Sequence, residues 1–348
     1  MRIVLVIATS LAGLILVGQS PAIAQERAYS EVFGPLLKRA DCDNSCLHKL
    51  MNQYLDALAA HAPTRLPLAE YAKFTENTIE LPIGEGLWGS IDSVLPQRII
   101  IADPMTAEVV YYGAVTERGQ VSLLYVRLKA RAGRITDIET VVIRKLYGNF
   151  GTFTDIQQGP IATWSETLAP SQRRSRQELI ALVNQYFDGI EQSNGDIVPF
   201  DPNCVRWENN SHASGGSSAT PTGSPSGAAA SNTVPSPPPN STRAITKGMT
   251  ISQTFNTRLF SYIVHITDRR FPVVDEERGI VSAIVMFQHP GNVRYVDVPG
   301  HGRVELTGVT SALPNTSEVL ETFRVKDGRI TDIYAYDNLL PYRQKPGW

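Results

Sequence analysis

Residues 179–190 read LIALVNQYFDGI, and residues 47–58 read LHKLMNQYLDAL. Both contain Asn-Gln-Tyr-x-Asp, at 52–56 and at 184–188. The apolar positions of the first, Leu47, Leu50, Met51, Tyr54, Leu55 and Leu58, recur as Leu179, Leu182, Val183, Tyr186, Phe187 and Ile190, each 132 residues later. Spacing of i, i+3, i+4, i+7, i+8 is the stripe of an amphipathic helix packed on one side. Two such helices predict that one structural unit is written twice.

The repeat extends outward from the helices. KFTENT (73–78) and CVRWENN (204–210) put Glu76 and Glu208 at the same distance, 24 residues, beyond Asn52 and Asn184. GRITDI closes both copies, at 133–138 and at 328–333, now 195 residues apart. The second copy therefore carries extra chain between Glu208 and Gly328. Most of it is visible as the Ser/Pro/Gly/Ala tract 211–246, which lacks the large apolar residues needed to offset its ordering entropy. That tract reads as a disordered insert within the second unit.

The first residues, MRIVLVIATSLAGLILVGQSPAIAQ, place Arg2 before a short apolar run that ends in Pro21-Ala22-Ile23-Ala24. This is the pattern of a secretory signal peptide, and it predicts a periplasmic or secreted chain. Four segments follow: the leader 1–24, a first unit 25–147, a connector 148–174, and a second unit 175–348. The chain has a formal net charge of −2, or −3 once Arg2 leaves with the leader, and no basic stripe. That pattern argues against nucleic acid as a partner. No later stretch is long and apolar enough to hold the chain in a membrane after cleavage.

Each copy opens with a helix and becomes strand-rich. In the first, 109–112, 121–129 and 135–144 read as strands. In the second, 259–266, 280–288, 318–326 and 330–336 do, with Asp327-Gly328 as a hairpin turn. The predicted class is α+β: two tandem units with N-terminal helices on one face of a curved antiparallel sheet.

Cys42, Cys46 and Cys204 all lie beyond the leader. Three pairings are open in an oxidising compartment, and the local pair Cys42–Cys46 is favoured. Cys-x3-Cys lacks partner ligands nearby, so no metal is expected. No phosphate loop or dinucleotide fingerprint occurs, so no cofactor is expected either.

The phrases FTENTIELPIGEGLW (74–88), CVRWEN (204–209) and RRFPVVDEERG (269–279) resemble a secreted bacterial and fungal family of unknown function. Its helix-then-sheet order is similar to the nuclear-transport-factor-2-like (SnoaL-like) superfamily. That resemblance implies cone-shaped units around an apolar cavity, and pairing through the open sheet face, either between the tandem copies or in a homo-oligomer. It also implies a second cysteine after the CxRxEN phrase, which this chain lacks. Enzymes of that superfamily work on small substrates by acid–base chemistry, without metal or nucleotide.

On that footing His265, Glu208 and Tyr262 are the candidate catalytic residues, with His265 as base on the strand 259–266. Arg269, Asn209, Glu76, Asn77 and Trp88 are candidates for substrate binding. A bland alternative stands beside each: Glu-Asn as a turn bonding its own strand, Trp88 as a core plug, Arg269 as an ion-paired rim. The implied function is a cofactor-independent lyase, isomerase or dehydratase acting on a small, largely apolar, aromatic-compatible substrate. The alternative is a periplasmic module that binds a small molecule without turning it over.

Overall fold

The structure, a computed structural model, describes residues 42–144, 162–214 and 242–348. The leader, most of the connector and the centre of the Ser/Pro/Gly insert lie outside the described residues.

Among the described residues, fourteen strands and a few helices follow in chain order. The first half contains α1 (Asn44–Ala59), β1 (Leu68–Glu76), β2 (Ile79–Glu80), α2 (Leu87–Ser90), β3 (Ile91–Asp103), β4 (Glu108–Glu117), β5 (Gln120–Arg131) and β6 (Arg134–Ile143). The second contains α3 (Arg176–Glu191), β7 (Phe200–Glu208), β8 (Ser211–Ser214), α4 (Thr242–Ile245), α5 (Ile251–Asn256), β9 (His265–Asp275), β10 (Ile280–His289), β11 (Tyr295–Val298), β12 (Gly302–Glu305), α6 (Val309–Ala312), β13 (Asn315–Lys326) and β14 (Arg329–Leu340). None of the described helices is long and apolar enough to cross a membrane.

The strands form two six-stranded sheets and one small hairpin. The large sheets have the orders β2-β1-β6-β5-β4-β3 and β8-β7-β14-β13-β10-β9. Within each, one pair is parallel, β1 with β6 and β7 with β14, and the rest are antiparallel.

This corrects the predicted class. The chain is mostly β, with three sheets, and the two large ones are mixed rather than antiparallel. Two cone-shaped helix-on-sheet units are not what forms. Each half has a single long helix, and the other helices have four to six residues. The reason lies in segments read as loops. The two Glu-Asn phrases are the ends of strands β1 and β7, and the stretch after Trp88 opens the 13-residue β3. In addition, β4 and β13 are buried almost without a break, so period-2 alternation is lost and their full length was not legible.

The two long helices do bury the stripe that the spacing requires. Asp43 caps α1 by accepting the Cys46 N–H at 2.8 Å, with Cys42 and Cys46 joined as a disulfide across the cap. Ser175 and Glu178 form a capping box on α3. Tight turns close the hairpins: Arg118-Gly119, Ala132-Gly133 and Asp327-Gly328 each carry two successive positive φ angles. That is the type I′ geometry whose twist matches the flanking strands.

Residues Asp41–Trp348 are one compact unit with several cores. One core lies between α1 and the first sheet, around Met51, Tyr54, Phe74 and Trp88. Another lies between α3 and the second sheet, around Tyr186, Phe187, Phe255 and Phe323. A third joins the sheets through Tyr112, Tyr125, Tyr334, Tyr336 and Trp164. Two of the buried hydroxyls of this sheet-to-sheet core are bound internally, while that of Tyr125 is left without a partner among the described residues. Tyr336 donates to the Gly113 carbonyl at 2.9 Å, and Tyr112 shares a 3.0 Å bond with Ser282.

Candidate functional site

Glu76 and Glu208 are each the last residue of their strand, and they hold the same register. Glu76 pairs with Thr140 on β6 and Glu208 with Ala335 on β14, positions that are themselves 195 residues apart. The following asparagines turn the chain with positive φ, 49° at Asn77 and 45° at Asn209. Each then clasps the neighbouring strand. The Asn77 amide donates to the Val142 carbonyl at 3.1 Å and its oxygen accepts the Val142 N–H at 2.7 Å. Asn209 does the same with the main chain of Asp337, at 3.3 and 3.0 Å. Both asparagines therefore latch one strand to the next, with the side-chain amide bound to main chain. Asn209→Ala removes two bonds and puts alanine in a left-handed conformation, and is expected to cost about 2 kcal/mol in urea unfolding.

The same register exposes where the copies differ. Val142 stands where the second copy has Asp337. Glu117, the last residue of β4, stands where β10 ends in His289. These exchanges give the two halves opposite characters.

In the first half the position is filled. Glu76 accepts the Leu87 N–H at 2.6 Å and pairs with Arg144 at 3.0 Å. Arg144 also grips Glu117 at 2.9 Å, and Ser90 and Ser122 donate to Glu117 at 2.6 and 2.8 Å. Burial pushes the Glu117 carboxyl up, but Arg144, Ser90 and Ser122 outweigh it and leave the group below its ordinary value. Gly86 lies directly against Glu76 with φ +64°, and a Cβ there would strike the carboxylate. Trp88 is buried with its ring edge-on to Tyr54, centroids 5.5 Å apart. Glu76 and Trp88 are thus both buried in this half, one held by Arg144 and the Leu87 N–H and the other packed on Tyr54.

In the second half the position opens on a cavity of about 110 Å³. Its walls are Tyr186, Phe255, Phe260, Ile263, Phe287 and neighbours, and its polar groups are Glu208, Arg206, Tyr262, His289 and Asp337. Arg206 is committed at once: it pairs with Glu208, and its Nε donates to Glu321 at 3.1 Å. Glu321 in turn accepts from the Tyr186 hydroxyl at 2.9 Å. Asp337 has no cation bound to it directly among the described residues, though the Ser317 hydroxyl and the Arg206 charge both act to lower its carboxyl. Its Oδ1 is sealed from solvent without a hydrogen bond among the described residues. Burial, with the Glu208 charge second, pushes the Asp337 carboxyl up to about 7. Burial and Glu208 also raise the Tyr262 phenol, so it stays protonated.

The sequence-derived set is divided by this geometry. Glu208 and Tyr262 reach the cavity. His265 does not: residues 257–262 are turns rather than strand, β9 begins at His265, and its side chain is exposed. Arg269 is also elsewhere, donating to Asp188 and Glu191 of α3 at 2.7 Å each with its guanidinium over Phe187. It ties helix to strand. His289 and Asp337 were missed, although the departures from the other copy, Glu117 and Val142, marked them.

Comparison with known proteins adds a family without an activity. Residues 172–336 match the model of a family described as "Domain of unknown function (DUF8021)". No curated protein matches the chain. Among solved structures, the chain is similar to the crystal structure of a de novo designed protein with a curved beta-sheet. The identity is 17%, over 30% of this chain and 89% of that one, with a TM-score of 0.26.

Proposed function

We propose that the second half is a cofactor-independent acid–base enzyme of the lyase, isomerase or dehydratase type, acting on a small, neutral, largely apolar substrate. The observation that carries this is the Asp337 carboxyl, desolvated and with its Oδ1 left without a hydrogen bond, inside an aromatic-walled cavity that also holds Glu208, Tyr262 and His289. A carboxyl held near neutrality can both give and take a proton at working pH. His289, across the same cavity, supplies a second proton-transfer group. The pair could remove a proton from one atom of a bound molecule and deliver one to another.

The charge of the site supports a neutral substrate. Its one guanidinium, Arg206, is already divided between Glu208 and Glu321. A carboxylate or phosphate on the substrate would meet two acids and no uncommitted cation in the cavity lining. The rings of Tyr186, Phe255, Phe260 and Phe287 suit an aromatic or alicyclic body. Kinship with nuclear-transport-factor-2-like enzymes and export through residues 1–24 belong to this proposal, and rest on the motifs and leader pattern alone.

The test is turnover of a library of small carbonyl and hydroxyl compounds by the wild type, Asp337→Asn and His289→Gln. Turnover lost in both variants supports the reading. Turnover that survives both variants removes it, and saturable binding without any turnover identifies a binding module instead.

A further inference from the structure

The proposed reaction needs a base as well as an acid, and a histidine serves as base only if the nitrogen facing the substrate lacks a proton. His289 is the last residue of β10, and Asn315, the first of β13, sits directly opposite it in the ladder. Both are buried, at 3% and 5% exposure. His289 Nδ1 lies 2.8 Å from the Asn315 side-chain oxygen. Which of the two groups donates is fixed one bond further on. The Asn315 amide nitrogen donates to the Leu313 carbonyl at 2.8 Å, so the amide oxygen is the end turned to the histidine. An amide oxygen can only accept, and Nδ1 must therefore carry the proton. In the neutral ring Nε2 then holds the lone pair.

We propose that Asn315 is a positioning residue that fixes His289 as the Nδ1–H tautomer, so that Nε2 acts as the proton acceptor in the Asp337 cavity. This rests on the reading of the cavity as an acid–base site. In the reaction, Nε2 takes a proton from the substrate as the protonated Asp337 carboxyl gives one to it. The ring becomes imidazolium, its new charge stabilised by the Asn315 oxygen on the opposite nitrogen, and Asp337 becomes carboxylate. Return of the proton from Nε2, directly or through water, resets the pair. Tyr262, edge-on to the imidazole with centroids 5.0 Å apart, limits rotation of the ring. In the first half the equivalent ladder pair is Glu117 opposite Gln120, and no such relay exists there.

The test is the tautomer itself, read from imidazole 15N shifts of histidine-labelled full-length protein above the ring's titration. The His289 signals are assigned by their loss in His289→Gln. The expected result is protonated Nδ1 in the wild type and in Asn315→Asp, which keeps the acceptor. In Asn315→Leu, Nδ1–H is no longer favoured and kcat falls by about a hundredfold, with KM little changed. Protonated Nε2 in the wild type, or an unchanged tautomer in Asn315→Leu, overturns the proposal. The spectrum needs no substrate, so failure to find turnover strikes the functional reading and leaves the tautomer to be decided separately. Should Asn315→Leu fail to fold, the wild-type and Asn315→Asp spectra still decide it.

Discussion

Asp337→Asn is expected to lower turnover by about 10²–10⁴-fold, the usual worth of a positioned acid or base, while making the protein more stable above neutral pH. The two effects have one cause. Burial first, and the Glu208 charge second, move the carboxyl from an ordinary 3.8 up to about 7 in the folded chain. An acid that holds its proton more tightly when folded contributes stability that is complete below the unfolded value, near pH 4. That contribution is lost as pH rises through about 7. A displacement of this size corresponds to at most about 4 kcal/mol. Asparagine has the shape of the acid and never ionises. The variant should therefore match the wild type at about pH 4 and exceed it by about 1–3 kcal/mol at about pH 8. Denaturant unfolding at the two pH values checks this, and an equal gain at both would mean that ionisation at this position is not the cause. A site that becomes more stable when disarmed is the pattern of stability given up for function.

Trp88→Ala should have a large effect of a different kind. Trp88 is buried in the core of the first half, packed on Tyr54 beside the turn that the Leu87 N–H ties to Glu76. Truncating a buried tryptophan costs about 3–5 kcal/mol. Thermal unfolding should show that loss. Activity measured well below the melting transition should be unchanged, because the cavity with Asp337 and His289 belongs to the other sheet. A change in KM with little change in stability would restore Trp88 as a substrate contact.

What the sequence disclosed and what it hid follow the range of the interactions. The helix stripes were legible because a 3.6-residue period is a local signal, and the Asp327-Gly328 turn because two positive φ angles restrict the residues available. The strand content was underestimated where both faces of a strand are buried, as in β4 and β13, since alternation disappears there. The segment 259–266 was misread because a short apolar run suits a packed turn as well as a strand. His265 was therefore assigned a face of a strand 259–266, whereas it is the first, exposed residue of β9. Register was the missing information for the site. Glu208, His289 and Asp337 come from β7, β10 and β14, and only the parallel pairing of β7 on β14 brings the first and last together. A signal was nonetheless present: aligning the copies sets an acid against Val142 and a histidine against Glu117, and those two exchanges convert a filled position into a cavity.

The central claim is that the second half holds a carboxyl poised for proton transfer at neutral pH. The most direct measurement is the titration of Asp337 itself, by carboxyl infrared difference spectra of wild type against Asp337→Asn. The account predicts a carboxylic acid band that persists to about pH 7 and is absent from the variant. A wild-type carboxyl fully ionised by about pH 5, at the ordinary range for an aspartate, would contradict it.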